Sequence, residues 1–465
     1  MSENEITKEN KMGTMPVTPL LLNMSLPIMF SMLILAGYNI VDSFFVSKIS
    51  EGTINLGEEA LSAMAIAFPI QTLTIAFGIG TAVGVNALLA MKLGEKDYDT
   101  VSKIAVNGLF LTFCTTILFC LICKFAVDPY IKSQTSNPVI IRMTKEYLTI
   151  ILYISLPSFL GVMSDRILQA TGLTFYTMLT MLSGAIFNII FDPLLIFGIG
   201  PFPRMGISGA AIATVSGQFM GFLLSIFFNL KVNKEVRFKF KGFKPDLKII
   251  GNIYKIAAPS ILMQSVNSLT TYGMNLVLKS FKLIGDTAIA VYGLYFKLNS
   301  FVFMPLFGLT TGMVPIVSYN FGARKRKRII TTIKSTLMFA IGIMCIGIII
   351  FEFFPEKLLS LFDAKENMMN IGKSCLRIIA PSFIGAAMSI TFSSVFQAMG
   401  RAVYSMIISI IRQLAVLLPT AYLLALTGNI NNVWFCFLIA EIFAISISAY
   451  YMHRLNRKYL RPMED

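Results

Sequence analysis

Long apolar stretches separated by short polar segments make up most of this chain. A helix needs about 20 apolar residues to cross the hydrocarbon core of a bilayer, and twelve stretches satisfy that requirement. The predicted spans cover residues 20–46, 60–91, 102–123, 146–171, 176–198, 206–230, 250–278, 287–320, 331–351, 374–399, 402–426 and 431–453. The pattern therefore predicts an all-α polytopic membrane protein with twelve transmembrane helices.

Composition agrees with this class. The chain is 55% hydrophobic and only 14% charged, and its mean hydropathy of +0.73 lies outside the range of soluble domains. It contains neither a Walker A sequence nor a glycine-rich nucleotide loop, which argues against an ATP-driven pump. The one histidine, His453, ends the last span. We therefore expect no enzymatic activity, no cofactor and no resident metal.

Positive charge predicts the orientation. The net charge is +15, and the two richest basic runs, Lys231–Lys248 and Arg324–Arg328, fall on the side that carries both termini. By the positive-inside rule both termini are cytoplasmic. The excess of Lys and Arg over Asp and Glu then reflects the membrane topology and contact with anionic membrane lipid. It does not indicate binding to nucleic acid. We expect a multi-pass protein of the cytoplasmic (inner) membrane of a bacterium.

The two halves of the chain resemble each other at an offset of about 228 residues. Gly80 and Gly84 align with Gly308 and Gly312. The Gln169–Gly172 run aligns with the Gln397–Gly400 run. The predicted parts are a cytoplasmic segment 1–19, an N-lobe of spans 1–6 at 20–230, a basic inter-lobe loop 231–249, a C-lobe of spans 7–12 at 250–453, and a cytoplasmic tail 454–465. Transporters built from such repeats rock one bundle against the other.

Two acidic residues lie in segments that otherwise match the bilayer interior. Asp42 on span 1 has Asn39 three residues before it, and Asp192 on span 5 has Asn188 four residues before it, so each pair shares a helix face. A carboxylate at that depth costs several kcal/mol unless it is paired, protonated or hydrated. Two facing carboxylates cannot both ionise cheaply. Such a pair binds a proton, or shares Na⁺ or an organic cation; the alternative is a structural network of protonated acids.

A third acid, Asp165, lies on span 4 with Gln169 one turn away on the same face. We interpret these two residues as candidates for coupling or for binding an organic cation. The alternative is a structural pair with Arg166, although adjacent side chains diverge on a helix.

The C-terminal half offers one intramembrane acid, Glu441 on span 12. Arg412 on span 11 is its expected partner in a fixed salt bridge, and Lys297 is a second candidate. Because the other three acids lie in the first half, an ion-coupling site is expected there.

Several motifs together resemble one transporter family. They are Ile40–Val46 around Asp42, the Asn-x-x-x-Asp-Pro motif from Asn188 to Pro193, and the Gln397–Gly400 run. In a twelve-span chain they are similar to the multidrug and toxic compound extrusion (MATE) family, in particular to its MepA-like bacterial branch. The resemblance implies two six-helix lobes and efflux of organic, often cationic, drugs in exchange for H⁺ or Na⁺.

The resemblance also assigns roles. It matches Asp42, Asn188 and Asp192 to the family's ion-coupling residues, and Asp165 to the position of a glutamate on span 4. The NorM-like branch has acids in spans 7 and 10, where this chain offers Asn267 and Met388. The resemblance therefore implies coupling in the N-lobe, with H⁺ as the first expectation and Na⁺, held at Asp42 and Asp192, as the alternative.

Three functions remain open from the sequence. The first is a proton-coupled exporter of lipophilic organic cations that acts as a monomer, with Asp42, Asp165, Gln169 and Asp192 also contacting substrate. The second is a flippase for lipids or lipid-linked saccharides, whose polyanionic substrate would favour a basic cavity. The third is a membrane scaffold, which would leave the buried acids without a purpose.

Overall fold

The computed structural model describes residues 9–51, 54–281, 284–360 and 366–463. The helices are α1 Lys11–Thr14, α2 Val17–Val46, α3 Gly57–Gly94, α4 Tyr98–Gln134, α5 Pro138–Tyr153, α6 Leu156–Ala170, α7 Thr174–Phe197, α8 Ile207–Lys231, α9 Leu247–Lys279, α10 Gly285–Gly322, α11 Arg326–Phe353, α12 Pro355–Ser360, α13 Glu366–Ile379, α14 Ser382–Ala398, α15 Ala402–Ile410, α16 Leu418–Ala425, α17 Ile430–Val433 and α18 Phe435–Leu455. Two π-helical segments, Ile411–Leu417 and Asn456–Leu460, continue α15 and α18. Two short strands, β1 Ser50–Glu51 and β2 Ile54–Asn55, pair antiparallel after α2.

The helices reproduce the predicted membrane pattern. Among the described residues, nine helical segments are long and apolar enough to cross a membrane, and two bent helix pairs bring the number to eleven. The remaining predicted span, span 7 at 250–278, falls on α9. Each predicted span therefore lies on one helix, on a helix pair, or on helices joined through a π-helical segment. The fold is an all-α polytopic membrane fold.

Spans 4 and 10, predicted at 146–171 and 374–399, each consist of two helices. Span 4 consists of α5 and α6, bent by 49°, and span 10 of α13 and α14, bent by 52°. Both also begin eight residues earlier than predicted. Pro157 lies in the first turn of α6, and Pro381 is the residue before α14. Proline has no N–H for the preceding turn, so the helix breaks there.

The chain forms two compact units, which we call the N unit and the C unit. The N unit is Phe30–Ala257; the C unit joins the described residues up to Met29 to those from Ala258 onward. The boundaries lie inside α2 and inside α9, so each helix contributes to both units. Residues 20–29, predicted to belong to the N-lobe, therefore pack in the C unit, and the predicted lobe boundaries remain a prediction.

Aromatic side chains fill the core of each unit. In the N unit the ring of Phe119 lies 5.6 Å from those of Phe77 and Phe159. In the C unit Tyr292 packs between Phe296, at 4.8 Å, and the fully buried Trp434, at 6.5 Å. Phe119 on α4 thus contacts both α3 and α6, and Tyr292 on α10 contacts Trp434 just before α18, so these rings help to fix the bundles in which the polar side chains are placed.

The basic run at 324–328 has a structural role in addition to its role in topology. Arg328 donates to the carbonyl oxygens of Met12 and Met15 at 2.9 and 2.7 Å, and to Asn320 Oδ1 at 3.0 Å. Asn320 Nδ2 donates to the same Met12 carbonyl at 3.0 Å. Lys325 pairs with Glu9. The segment before α2 is therefore fastened to the ends of α10 and α11 in the C unit.

This anchor predicts a stability effect. Replacing Arg328 with Ala leaves two backbone carbonyls and one amide oxygen without their charged donor. Because hydrogen bonds to charged groups contribute about 1.5–3 kcal/mol each, we expect Arg328→Ala to lower the thermal midpoint of the purified protein clearly. Lys334→Ala, on the exposed face of α11, is the matched control and should melt like the parent. Equal midpoints for both variants would contradict the anchor.

Candidate functional site

Asp42 on α2 and Asp192 on α7 meet inside the N unit. The two residues are 8% and 0% exposed, and their carboxyl groups lie close enough to contact each other. Carboxylates carry no hydrogen of their own, so this contact is a hydrogen bond only when at least one of the two acids is protonated. The side chains of Tyr38 and Tyr147 are close enough to interact electrostatically with both acids.

Asn188 extends this pair by one helical turn. Its Nδ2 donates to Asp192 Oδ1 at 3.3 Å and lies 3.4 Å from Thr214 Oγ1 on α8. Its Oδ1 is buried and has no donor among the described residues, and the same holds for Asp42 Oδ1 and Asp192 Oδ2. Three buried acceptor oxygens thus belong to one cluster. A buried acceptor without a donor costs about 1–3 kcal/mol, so the cluster favours a proton or a small cation.

Asn39, predicted to share this face with Asp42, lies within α2, but its side chain is outside the described part of the structure. Its role therefore remains a prediction.

Close contact between α7 and α8 brings the polar side chains together. A Cβ at Gly217 would lie 2.7 Å from the carbonyl oxygen of Gly184, so only glycine permits this approach. Small residues at a helix interface in lipid let backbones approach closely. Thr214 and Ser225 on α8 consequently face polar groups in the N unit. Sequence reasoning missed both hydroxyls, although polar residues on an apolar helix were a usable signal.

Asp165 forms a second polar cluster. Its Oδ1 accepts hydrogen bonds from Ser225 Oγ at 2.7 Å and from Thr180 Oγ1 at 2.8 Å. Thr180 and Asp192 are twelve residues apart on α7, which corresponds to about 18 Å of helical rise. The structure therefore separates Asp165 from the Asp42–Asp192 pair along the helix rather than combining the three acids in one site.

Gln169 was expected to act together with Asp165, and in the structure its side chain contacts Arg166. Its side chain is 3% exposed, and its Oε1 accepts a hydrogen bond from Arg166 Nη1 at 3.0 Å. Arg166 is thus turned toward Gln169, as expected for a side chain that diverges from its neighbour Asp165.

Glu441 and Arg412 form an ion pair in the C unit, with Arg412 Nη1 2.8 Å from Glu441 Oε1. Ser389 Oγ donates to Glu441 Oε2 at 3.0 Å. Arg412 lies in the π-helical segment, and Pro419 follows in the first turn of α16. Lys297, the other predicted partner, is exposed. The charges of Arg412 and Glu441 therefore compensate each other.

The described residues contain no group of three or more His, Cys, Asp or Glu side chains that could hold a metal ion. A monovalent cation would have to use Asp42, Asp192 and the Asn188 amide oxygen. Two lobes of membrane helices with buried acids inside one of them define the class: a polytopic membrane transporter.

Comparison with known proteins gives the family. The MatE family model matches residues 27–194 and 259–423, one match in each half of the repeat. Together the matches cover more than half of the chain, which belongs to the MatE family.

Named relatives cover almost the whole chain. A protein of Shewanella oneidensis described as an FAD transporter is 27% identical over 94% of each chain. The multidrug export protein MepA of Staphylococcus haemolyticus is 26% identical over 94% of each chain. The MepA of Staphylococcus aureus strain MSSA476 is 26% identical over 92% of this chain and 91% of its own.

Solved structures share the fold. An outward-facing multidrug resistance MATE transporter of the MOP superfamily superposes with a TM-score of 0.89 at 22% identity, covering 98% of this chain and 99% of that one. A MOP superfamily transporter from Pyrococcus furiosus is described as having a binding pocket of reverse polarity. It superposes with a TM-score of 0.88 at 23% identity and again covers 98% of this chain and 99% of that one. At this level of identity the likeness establishes the fold alone.

Proposed function

We propose that this protein is a secondary active exporter that exchanges protons for lipophilic organic cations. The observation that carries the proposal is the cluster of three buried acceptor oxygens without donors, on Asp42, Asn188 and Asp192. A proton on either acid supplies a donor, and loss of that proton leaves negative charge. The site therefore changes between a neutral and an anionic state, as antiport requires.

In the proposed cycle the pair takes up a proton from the outer side of the membrane. The proton adds to an oxygen of Asp42 or Asp192 and forms the hydrogen bond between the two carboxyl groups. The neutral site no longer attracts an organic cation, which leaves. Release of the proton to the cytoplasm restores the negative charge, which attracts the next cation. Both termini lie in the cytoplasm in this proposal.

The choice of H⁺ over Na⁺ rests on the direct contact between the carboxyl groups. A shared proton bridges two adjacent carboxyl oxygens directly, whereas Na⁺ needs several oxygen ligands around it. The relatives named multidrug export proteins support a drug substrate. The flippase alternative draws no support from the named relatives.

Flavin nucleotide export is a second candidate, because one relative is described as an FAD transporter. FAD carries a diphosphate, so its export would favour cationic groups along the route. The buried charge described in the N unit is acidic apart from Arg166, which faces Gln169. We therefore place organic cations first.

Ethidium efflux from proteoliposomes tests the function and the ion. We expect an imposed proton gradient in Na⁺-free medium to drive efflux, and an uncoupler to stop it. Efflux that depends on a Na⁺ gradient and survives the uncoupler would establish Na⁺ coupling instead. FAD export without ethidium export would favour the flavin candidate, and the absence of both would contradict the proposed function.

Asp165 is proposed to attract the organic cation without coupling it to the proton. Asp165→Asn keeps an oxygen to accept from Ser225 and Thr180 but loses the charge. We expect the ethidium concentration for half-maximal transport to rise about tenfold, equivalent to ~1.4 kcal/mol, with uncoupler sensitivity retained. Ser225→Ala keeps the charge and is the matched control. An equal change in both variants would indicate a purely structural network.

A further inference from the structure

The basic inter-lobe loop is fastened along α4 within the N unit. Its non-helical part, residues 232–246, joins the end of α8 to the start of α9. The amide of Arg237 donates to Ser102 Oγ at 3.3 Å, and the amide of Asp246 donates to Asn107 Oδ1 at 3.0 Å. Both acceptors belong to buried residues of α4. These contacts give the loop a defined position on that helix.

The contacts with α4 place the loop at the level where the bilayer begins. Span 3 is predicted at residues 102–123, so Ser102 is its first residue. The rings of Phe243 on the loop and Phe110 on α4 lie 5.9 Å apart, and Phe110 is already inside the predicted span. Because α8 and α9 carry predicted spans 6 and 7, both ends of the loop lie at the same membrane surface. We therefore expect the loop in the layer of lipid head groups.

Large apolar side chains are exposed on this segment. Phe240 is 58% exposed, and Leu247, the first residue of α9, is 81% exposed. The rings of Phe238 and Phe240 stack, with centroids 6.2 Å apart and planes at 11°. Segments that lie in a membrane interface combine exposed Phe and Leu side chains with Lys and Arg.

A glycine turn presents Phe240 outward. The amide of Phe243 donates to the carbonyl oxygen of Phe240 at 3.1 Å, and Gly242 between them has a φ of +74°. A positive φ at the third position of a turn favours glycine. The turn thus separates the exposed Phe240 from Phe243, which packs on α4.

Basic side chains surround these apolar ones. Residues 231–249 contain seven Lys and Arg but only two acidic residues. Three exposed lysines lie next to the turn: Lys239, Lys241 and Lys244. The positive-inside rule explains basic charge on this side of the membrane, but it does not require exposed aromatic rings among the lysines.

The nearby acids leave most of this charge uncompensated. Asp246 is engaged at the start of α9, where its Oδ1 accepts from the amides of Lys248 and Ile249 at 2.9 and 3.2 Å. Asp99 on α4 pairs with Lys239 at 3.2 Å, but both side chains are mostly exposed. Such surface pairs are weak in water, so an anionic lipid phosphate can compete for the lysine.

We propose that the basic inter-lobe loop is a binding surface for anionic phospholipids. Phe240 and Leu247 enter the head-group layer, and the three lysines contact lipid phosphates. The two contributions act together, because binding of such a segment depends on buried apolar area and on attraction to anionic lipid. The position of the loop on α4 favours lipid over an acidic protein partner. This proposal concerns lipid contact alone, so its failure would leave the proposed transport function intact.

Quenching by brominated lipid tests the proposal on the full chain in nanodiscs. The only tryptophan of the sequence, Trp434, is fully buried, so Phe240→Trp adds a reporter and the parent protein supplies the background. We expect half-maximal quenching at an about fivefold lower mole fraction of brominated phosphatidylglycerol than of brominated phosphatidylcholine, the enrichment that one nearby Lys provides. Equal quenching by the two lipids would overturn the preference for anionic lipid. Quenching by neither lipid would overturn the lipid contact and favour a protein partner.

Charge variants of the reporter protein test whether the loop itself selects the lipid. One variant carries Lys239→Gln, Lys241→Gln and Lys244→Gln. We expect it to lose the preference for phosphatidylglycerol and to keep its quenching by brominated phosphatidylcholine, which shows that the loop still lies at the bilayer. An unchanged preference in this variant would overturn the role of the lysines.

A matched control removes the same charge from the C unit. It carries substitutions of three exposed arginines, Arg454→Gln, Arg457→Gln and Arg461→Gln. We expect the fivefold preference at residue 240 to remain in this control. An equal loss in both triple variants would mean that net charge alone attracts the lipid, and the loop would not be a binding surface.

Salt provides the same test without removing any lysine. Raising the salt concentration from about 0.1 M to about 1 M shortens the screening length from about 10 Å to about 3 Å. We expect the preference for phosphatidylglycerol to decrease and the quenching by brominated phosphatidylcholine to stay the same. A preference that is unchanged at the higher concentration would contradict recognition by charge.

Discussion

Asp192→Asn is expected to abolish uncoupler-sensitive ethidium efflux. The substitution keeps the shape of the side chain and removes its ability to take up and release a proton. Because Asp192 is fully buried and contacts Asp42, the Asn amide supplies a permanent donor to the remaining acid. That donor stabilises the ionised form of Asp42 and opposes the uptake of a proton from the outer side. Transport driven by an imposed pH gradient in proteoliposomes measures the loss directly.

The control for Asp192→Asn is Asp128→Asn. Asp128 is an exposed acid on α4 that pairs with Lys145 at 2.8 Å, so its neutralisation should leave efflux at the parent rate. Asp42→Asn should be as inactive as Asp192→Asn, and the double variant no worse than either, because residues in one hydrogen-bonded pair act non-additively. Normal pumping by Asp192→Asn at equal expression would make the pair structural and refute the coupling mechanism.

Neutralising one member of the Arg412–Glu441 pair is expected to produce a large loss of stability. Their side chains are 23% and 12% exposed, so each charge is mostly removed from solvent. Removing one partner of a buried pair costs about 3–5 kcal/mol, because the other charge remains uncompensated. We expect a loss near the lower end of that range for Arg412→Met or Glu441→Met. Reversible denaturation in mixed micelles measures the free energy of unfolding.

The double variant separates a structural pair from a functional one. Arg412→Met with Glu441→Met removes both charges, and apolar replacement of a buried pair is often neutral or stabilising. We expect it to recover most of the stability and to transport ethidium. The exposed pair of Lys145 and Asp128 is the control, since surface ion pairs contribute at most about 1 kcal/mol. A stable double variant without transport would assign the pair a role in function.

Helix packing explains why the candidate site was only partly predictable. The spacing of Asn188 and Asp192 places both on one face of α7, which local helix geometry alone implies. That Asp42 faces Asp192 was an expectation of the sequence analysis, and the structure places the two carboxyl groups close together. Asp165 was assigned to the same kind of role, yet its partners Thr180 and Ser225 come from two other helices. No spacing in the sequence reports which helices are neighbours.

The amino-acid sequence alone determined the membrane class, the number of spans and the repeat, because the thickness of the bilayer sets the length of each apolar stretch. The tertiary structure decided the bends at Pro157 and Pro381 and the separation of Asp165 from Asp192. Which polar side chains meet depends on how closely one backbone approaches another, as at Gly217. Close approach is a property of two helices together, and it cannot be read from the hydrophobic pattern of either one.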